Sequence, residues 1–225
     1  GFKLINHALH TNELPFINGG HEVAAIPEPS IAFSLGFIVV TILVTVVASL
    51  RWVERKRPLQ VVRAFAQAVR STPGTDAVLK IYGDGPLRER LTHEVAESGL
   101  ADRIELVGRV ERTELAQAFT RADIYLQTSP ADSFGISTLE ARSAGLAVVA
   151  RRSSGVRDFI TDGVDGLLAD DDAGLGRELA TLLGDDELLE RIKTHNYEVA
   201  PLPEWGTVAQ MHVDTYRRAI ALAGV

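Results

Sequence analysis

From residue 58 onward, short β-branched runs alternate with amphipathic helical stretches, joined by brief connections. No other feature constrains the fold as much. Strand, helix and strand in regular succession imply a parallel sheet with helices on both faces, an α/β architecture. The first helix is marked by Leu59, Val62, Phe65, Ala66 and Val69, spaced by threes and fours behind Pro58, a residue suited to a first helical turn. Ser71 to Gly74 ends it. The same pattern predicts strands at 78–82, 104–107, 123–128, 146–150 and 166–169, and helices at 87–98, 111–121 and 135–144. A helical turn is expected near 156–161, and closing helices at 173–183, 186–195 and 205–222. Ligands of such sheets sit at the carboxyl ends of the strands, so the informative loops follow residues 50, 82, 107, 128, 150 and 169.

Upstream the pattern changes. Ile31 to Leu50 carries no charge over twenty positions. As a helix it would reach ~30 Å, the hydrocarbon thickness of a bilayer. Trp52 and the cluster Arg51, Arg55, Lys56 and Arg57 would then serve as interfacial belt and cytoplasmic anchor. The competing reading is a buried parallel strand, favoured by β-branched residues from Val39 to Val47. Residues 1–30 show no sustained period beyond one short candidate strand, Glu22 to Ile26. The spacing of His7 and His10 would suit one helix face, but no carboxylate–histidine constellation completes a metal site, and His7, His10 and His21 read as loop histidines. No basic region and short apolar stretch open the chain, so a signal peptide is not expected. Three segments result: an irregular 1–30, a hydrophobic 31–50 that is a buried strand or a membrane span, and an α/β domain over 51–225.

Composition removes several function classes. The chain has 225 residues and no cysteine, which excludes disulfides, thiolate catalysis and cysteine–zinc sites. Its formal charge is −7, which argues against a nucleic-acid partner. The charge is uneven: residues 1–58 carry a net +1 and residues 59–225 a net −8.

The loops hold the chemistry. Arg51 and Lys56 follow the first strand position, and two fixed cations there suit a pyrophosphate or simply form a solvated basic patch. Gly83-Asp84-Gly85-Pro86 either lets backbone approach a ligand or makes an ordinary turn; it lacks the third glycine of a dinucleotide fingerprint. The run Ser129 to Glu140 places Asp132 in a loop and Glu140 on the helix that follows. The amino end of that helix suits an anion, with nearby carboxylates left for sugar hydroxyls; alternatively Asp132 and Ser133 cap the helix. Asp170-Asp171-Asp172 precedes a helix, where acidic residues cap and complement the dipole. It is read as a cap, and no metal is expected.

Taken in order, these blocks resemble a known family. Asp132-Ser-Phe-Gly-Ile-Ser-Thr-Leu-Glu140-Ala141, Gly145-Leu-Ala-Val-Val-Ala150, Ser154-Gly155-Val156-Arg157-Asp158 and Asp162-Gly-Val-Asp-Gly166-Leu-Leu168 are similar to the C-terminal, donor-binding domain of family 4 (group 1) GT-B glycosyltransferases. Leu50 to Lys56, Gly83 to Pro86, Leu106 to Val110 and Ala122-Asp123 fit the same order, so the likeness covers about 50–225. It implies a Rossmann-like parallel sheet and retaining hexosyl transfer from a nucleoside diphosphate sugar, with no cofactor besides the donor. It also implies roles. Arg51 and Lys56 would grip the pyrophosphate, and Asp132 would meet the donor sugar where the family usually has glutamate. Glu140 would hold the ribose. Phe134, Gly135 and Ile136 would offer backbone to the sugar, and Thr138 and Leu139 to the phosphates. Gly83 would also line the donor site, and Gly108 to Val110 the base. The acceptor-binding domain of the family has no counterpart in the short stretch before residue 31. The chain therefore reads as a donor-binding half or fragment, with a partner chain as one source of the acceptor domain. The rival readings are a non-catalytic nucleotide-sugar-binding or membrane-tethered module, and a GT-B epimerase or phosphorylase. A cytoplasmic location is implied, at a membrane if 31–50 spans one.

Overall fold

In the computed structural model the described residues are 44–201 and Asp214. They belong to the second of two units, Leu43–Val225. Six strands form one parallel sheet: β1 (Thr45–Ser49), β2 (Val78–Tyr82), β3 (Ile104–Gly108), β4 (Ile124–Gln127), β5 (Ala147–Arg151) and β6 (Gly166–Ala169). Their spatial order is β3-β2-β1-β4-β5-β6. Six α-helices connect and cover them: α1 (Pro58–Ser71), α2 (Arg88–Ser98), α3 (Arg112–Phe119), α4 (Ile136–Ser143), α5 (Asp172–Gly184) and α6 (Asp186–Glu198). Short 3-10 turns occur at Glu54–Lys56 and Gly155–Asp158.

The expected Rossmann-like sheet is therefore present, and most element ends fall within two residues of their predicted places. The candidate strand at 22–26 and all but Asp214 of the closing helix at 205–222 lie outside the described residues; Asp214 is helical. The uncharged run resolves at its carboxyl end: Thr45–Ser49 is the central strand, paired with β2 on one side and β4 on the other. Val46 and Ala48 face one core while Val47 faces the other, and all three are fully buried. That two-sided burial is why the run reads as continuous valine rather than alternating. A helical span ending at Leu50 is not formed there, and among the described residues no helix is long and apolar enough to cross a membrane. Residues 31–43 lie outside the described set. Trp52 is likewise no interfacial anchor: it is fully buried, and the Arg88 guanidinium stacks 4.7 Å from its ring centroid.

The larger core packs α1, α2, α5 and α6 against one sheet face through Phe65, Leu79, Ile81, Ile124, Leu126, Leu175 and Leu179. On the opposite face Phe119 and Tyr125 meet edge to face, 5.7 Å between centroids, beneath α3 and α4. A third cluster of Val148, Val156, Phe159 and Leu168 anchors the loop after β5. One buried ion pair ties the domain's later elements together. Arg142 on α4 donates to Asp165 at 2.7 Å and to the Asn196 carbonyl at the end of α6. Burial pushes the Asp165 carboxyl up, but the Thr161 backbone N–H and Arg142 outweigh it and hold it below the usual carboxylate range.

Candidate functional site

The strand order reverses direction between β1 and β4, and a parallel sheet opens a crevice at the carboxyl ends of such a pair. A cavity of about 300 Å³ lies there, lined by residues 49–51, Lys56, the ends of β4 and the loop into α4. Arg51, Lys56, Asp132, Phe134, Gly135, Ile136 and Thr138 all line it, although Arg51 and Thr138 are 87 residues apart in the chain.

The two cations arrive by different routes. Arg51 lies two residues past the end of β1, is exposed at the cavity mouth, and has no carboxylate partner among the described residues. Lys56 ends the 3-10 turn and meets Asp132 Oδ2 at 2.7 Å. Its turn is fastened from β4: buried Thr128 donates to the Arg57 carbonyl (3.1 Å), and buried Ser129 to that of Arg55 (3.1 Å). These hydroxyls escape sequence reasoning. The available signal is two polar residues directly after a wholly buried strand, where an unpartnered hydroxyl would be costly.

The helix whose amino end faces the cavity is α4. Its backbone ladder begins with Leu139 N–H donating to Gly135 C=O at 3.0 Å, so the N–H groups of Ile136, Ser137 and Thr138 lie ahead of the ladder at the cavity wall. Asp132 and Ser133 do not cap this helix. Its N-cap is Gly135 at φ 83°, without a side-chain cap. A Cβ there would also come within 2.7 Å of Val156 Cγ1, so the position admits little besides glycine. The loop is backed by the turn after β5, where Gly155 N–H donates to Asp132 C=O at 2.8 Å and the Phe134 and Phe159 rings lie 5.4 Å apart. Tyr125 forms part of the floor, donating to the Ser49 carbonyl at 3.1 Å. Burial holds its hydroxyl well above the ordinary tyrosine range, so it stays protonated.

The remaining candidates spread outward. Gly83 borders an adjoining hollow with Asp84, Gly85 and Arg109, which shares Ser49, Leu50, Arg51 and Ser137 with the cavity. A Cβ on Gly83 would overlap the Leu50 carbonyl oxygen at 1.9 Å, so glycine here lets the β1 and β2 loops run side by side. Gly108 accepts from Gly83 N–H at 2.7 Å and so joins the next loop to this pair. Glu140 sits beyond the cavity on α4, paired at 2.6 Å with Arg112 of α3. Leu139 packs inward on the third apolar cluster, offering backbone only. Val110 is not gathered with the others; it lines a separate groove beside Tyr82, Lys80 and Glu114. The acidic triplet is occupied otherwise: Asp171 caps α5 through Gly174 N–H, Asp170 pairs with Arg152, and Asp172 pairs with Arg57 and Arg151.

The family model for glycosyl transferases group 1 matches residues 37–199. Over 173 residues the chain is 29% identical to the D-inositol 3-phosphate glycosyltransferase of Nocardia farcinica, covering 73% of this chain and 38% of that protein. Among solved structures it is similar to Anabaena HepE in complex with UDP and glucose, with a TM-score of 0.61, 22% identity, and coverage of 77% of this chain and 48% of that one. It is also similar to the C-terminal domain of a glycosyl transferase group 1 family protein, LpcC of Francisella tularensis, with a TM-score of 0.59, 20% identity, and coverage of 69% of this chain and 83% of that one. The two structural likenesses concern the fold. The chain spans less than half the length of the curated relatives it matches first.

Proposed function

The chain belongs to the group 1 glycosyl transferases, and from that premise we propose that its cleft binds a nucleoside diphosphate sugar for retaining hexosyl transfer of the family 4 kind. The observation that carries this reading is the convergence of Arg51, Lys56 and the amino end of α4 on one 300 Å³ cavity at the β1–β4 switch point. Two side-chain cations and a row of free N–H groups match the charge and oxygen count of a pyrophosphate. The base lies toward Gly108, with the ribose within reach of Glu140 and the transferred sugar against Asp132 and the backbone of residues 134–136.

In this reading the work of the chain is electrostatic. As the glycosidic bond to the diphosphate breaks, negative charge grows on the leaving oxygen, and Lys56 and Arg51 stabilise it more strongly than they stabilise the intact donor. Charge-assisted hydrogen bonds of this type contribute about 1.5–3 kcal/mol each. The acceptor enters from the face the diphosphate leaves, so configuration at the sugar carbon is retained. Positive charge at the phosphates comes from side chains, so donor binding proceeds without a divalent metal.

Calorimetric titration of the purified chain with UDP-, GDP- and ADP-sugars, in EDTA and then in magnesium, tests this. The expected result is saturable binding that is unchanged by metal and weakened more than tenfold, about 1.4 kcal/mol, in Lys56→Ala and in Glu140→Ala. A folded chain that binds none of them, or variants that bind as well as the parent, would overturn the site assignment.

A further inference from the structure

Arg57, the residue after Lys56, is the only non-glycine with positive φ among the described residues (φ 56°, ψ 51°). It is the C-cap of the 3-10 turn that presents Lys56 and also the N-cap of α1. A left-handed conformation is unfavourable for a long side chain and persists only when its surroundings hold it. The surroundings here are specific. The Arg57 guanidinium makes two bonds to the Asp172 carboxylate, one of them 2.8 Å from Nη1 to Oδ1. Arg151, at the end of β5, closes on the same carboxylate. Gln60, one turn into α1, reaches the Asp172 carbonyl at 3.4 Å. The Arg57 hydrogen bond leads the causes that hold the Asp172 carboxyl below its usual range, consistent with a carboxylate kept charged. From the other side Thr128 binds the Arg57 carbonyl.

We propose that Asp172, acting through Arg57, is a positioning residue that locks the turn carrying Lys56 and so aims the Lys56 ammonium into the cleft. This rests on the donor-site reading above. Asp172 itself does not line the cavity. The lock also gives the third residue of the acidic triplet a role distinct from that of Asp171, which caps α5.

The charges make the test decisive in sign. Asp172→Asn removes a negative charge from the basic side of the cleft, and electrostatics alone would tighten anion binding. Loss of positioning loosens it. With UDP as the probe, calorimetry on Asp172→Asn is expected to show about tenfold weaker binding, ~1.4 kcal/mol. In the Lys56→Ala background the same substitution is expected to add nothing, because the effect passes through Lys56. Arg57→Gly combined with Asp172→Asn restores the net charge and supplies a residue at ease in the left-handed region. That double variant is expected to return to within about threefold of the parent, near the noise of coupled sites. Should Asp172→Asn not fold, Thr128→Val removes the opposing hold and is expected to weaken UDP in the same direction. Unchanged or tighter UDP binding by a folded Asp172→Asn chain, or no recovery in the double variant, would overturn the proposal.

A readout without nucleotide separates this inference from the functional reading. The Lys56 and Arg57 amides are bonded to the Val53 and Glu54 carbonyls at 3.0 Å each. Hydrogen exchange at these two amides should accelerate in Asp172→Asn and slow again in the double variant. If the parent binds no UDP, the donor-site reading fails, and this exchange pattern still decides whether the lock exists.

Discussion

The Lys56–Asp132 contact gives Asp132→Asn two effects on diphosphate binding, and both act in the same direction. In the free site Asp132 occupies the ammonium that a diphosphate would need, at 2.7 Å, with side chains 25% and 22% exposed. A hydrogen-bonded pair at that exposure falls between surface pairs, at 0–1 kcal/mol, and fully desolvated ones, so about 1 kcal/mol is the cost of releasing Lys56. A carboxylate lining the same cavity also repels the diphosphate. At roughly 6 Å and an effective dielectric of about 20 the repulsion is ~3 kcal/mol before screening, of which salt and exposure leave around 1 kcal/mol. Asp132→Asn should therefore bind UDP roughly fivefold to thirtyfold more tightly than the parent. The sugar-bearing donor should gain less, because the carboxylate proposed to meet the sugar has been removed. Paired titrations with UDP and a UDP-sugar, at low and moderate salt, read both effects. A folded Asp132→Asn chain that binds UDP more weakly would refute the reasoning, since it would mean that the ion pair shapes the site rather than competing for it.

Two further outcomes concern the frame around the cleft. Gly135→Ala places a methyl group against Val156 Cγ1 at a left-handed φ; thermal unfolding should show a loss of about 2 kcal/mol, together with weaker UDP binding as the loop shifts. Asp165→Asn breaks the buried pair with Arg142 and should cost about 3–5 kcal/mol in denaturant unfolding. The folded Asp165 carboxyl lies below its unfolded value, so its contribution is present above the ordinary carboxylate pKa near ~4 and is lost as pH falls through the folded value. Unfolding followed from pH 6 downward should accordingly show a shallower acid slope in Asp165→Asn than in the parent.

What can be read from the sequence, and what cannot, follows from the range of the forces. Val78–Tyr82 and Gly166–Ala169 are legible to the residue because short apolar strands are bounded by turn-forming or polar neighbours. β1 is ambiguous because its valines sit within a longer uncharged run, and periodicity cannot locate a five-residue strand inside twenty apolar positions. Trp52 misleads because an indole beside arginines has the same local pattern at a membrane surface and under a stacked guanidinium. Arg51, Lys56 and Asp132 are legible because loops at strand ends converge in any parallel sheet. Their fastenings are not: Thr128 and Arg57 are 71 residues apart, Arg57 and Asp172 are 115 apart, and nothing local to either announces the other. The left-handed residue at position 57 is hidden for the opposite reason, since a glycine would flag it and an arginine does not.

In the donor-site reading, the charge pattern gives the site its selectivity. The domain beyond residue 58 carries a net −8, so its general field repels polyanions. Within this acidic body the basic segment 51–57 lies along the carboxyl edge of β1, and two of its four cations have carboxylate partners. Lys56 meets Asp132, and Arg57 is held by Asp172. Arg51 at the mouth and Lys56, held only by the carboxylate it must leave, are the cations that line the cavity. A ligand gains from them only if it is small enough to enter and carries its charge in a compact group. A diphosphate meets both conditions, and the free N–H groups of α4 supply the hydrogen bonds that two point charges alone could not orient.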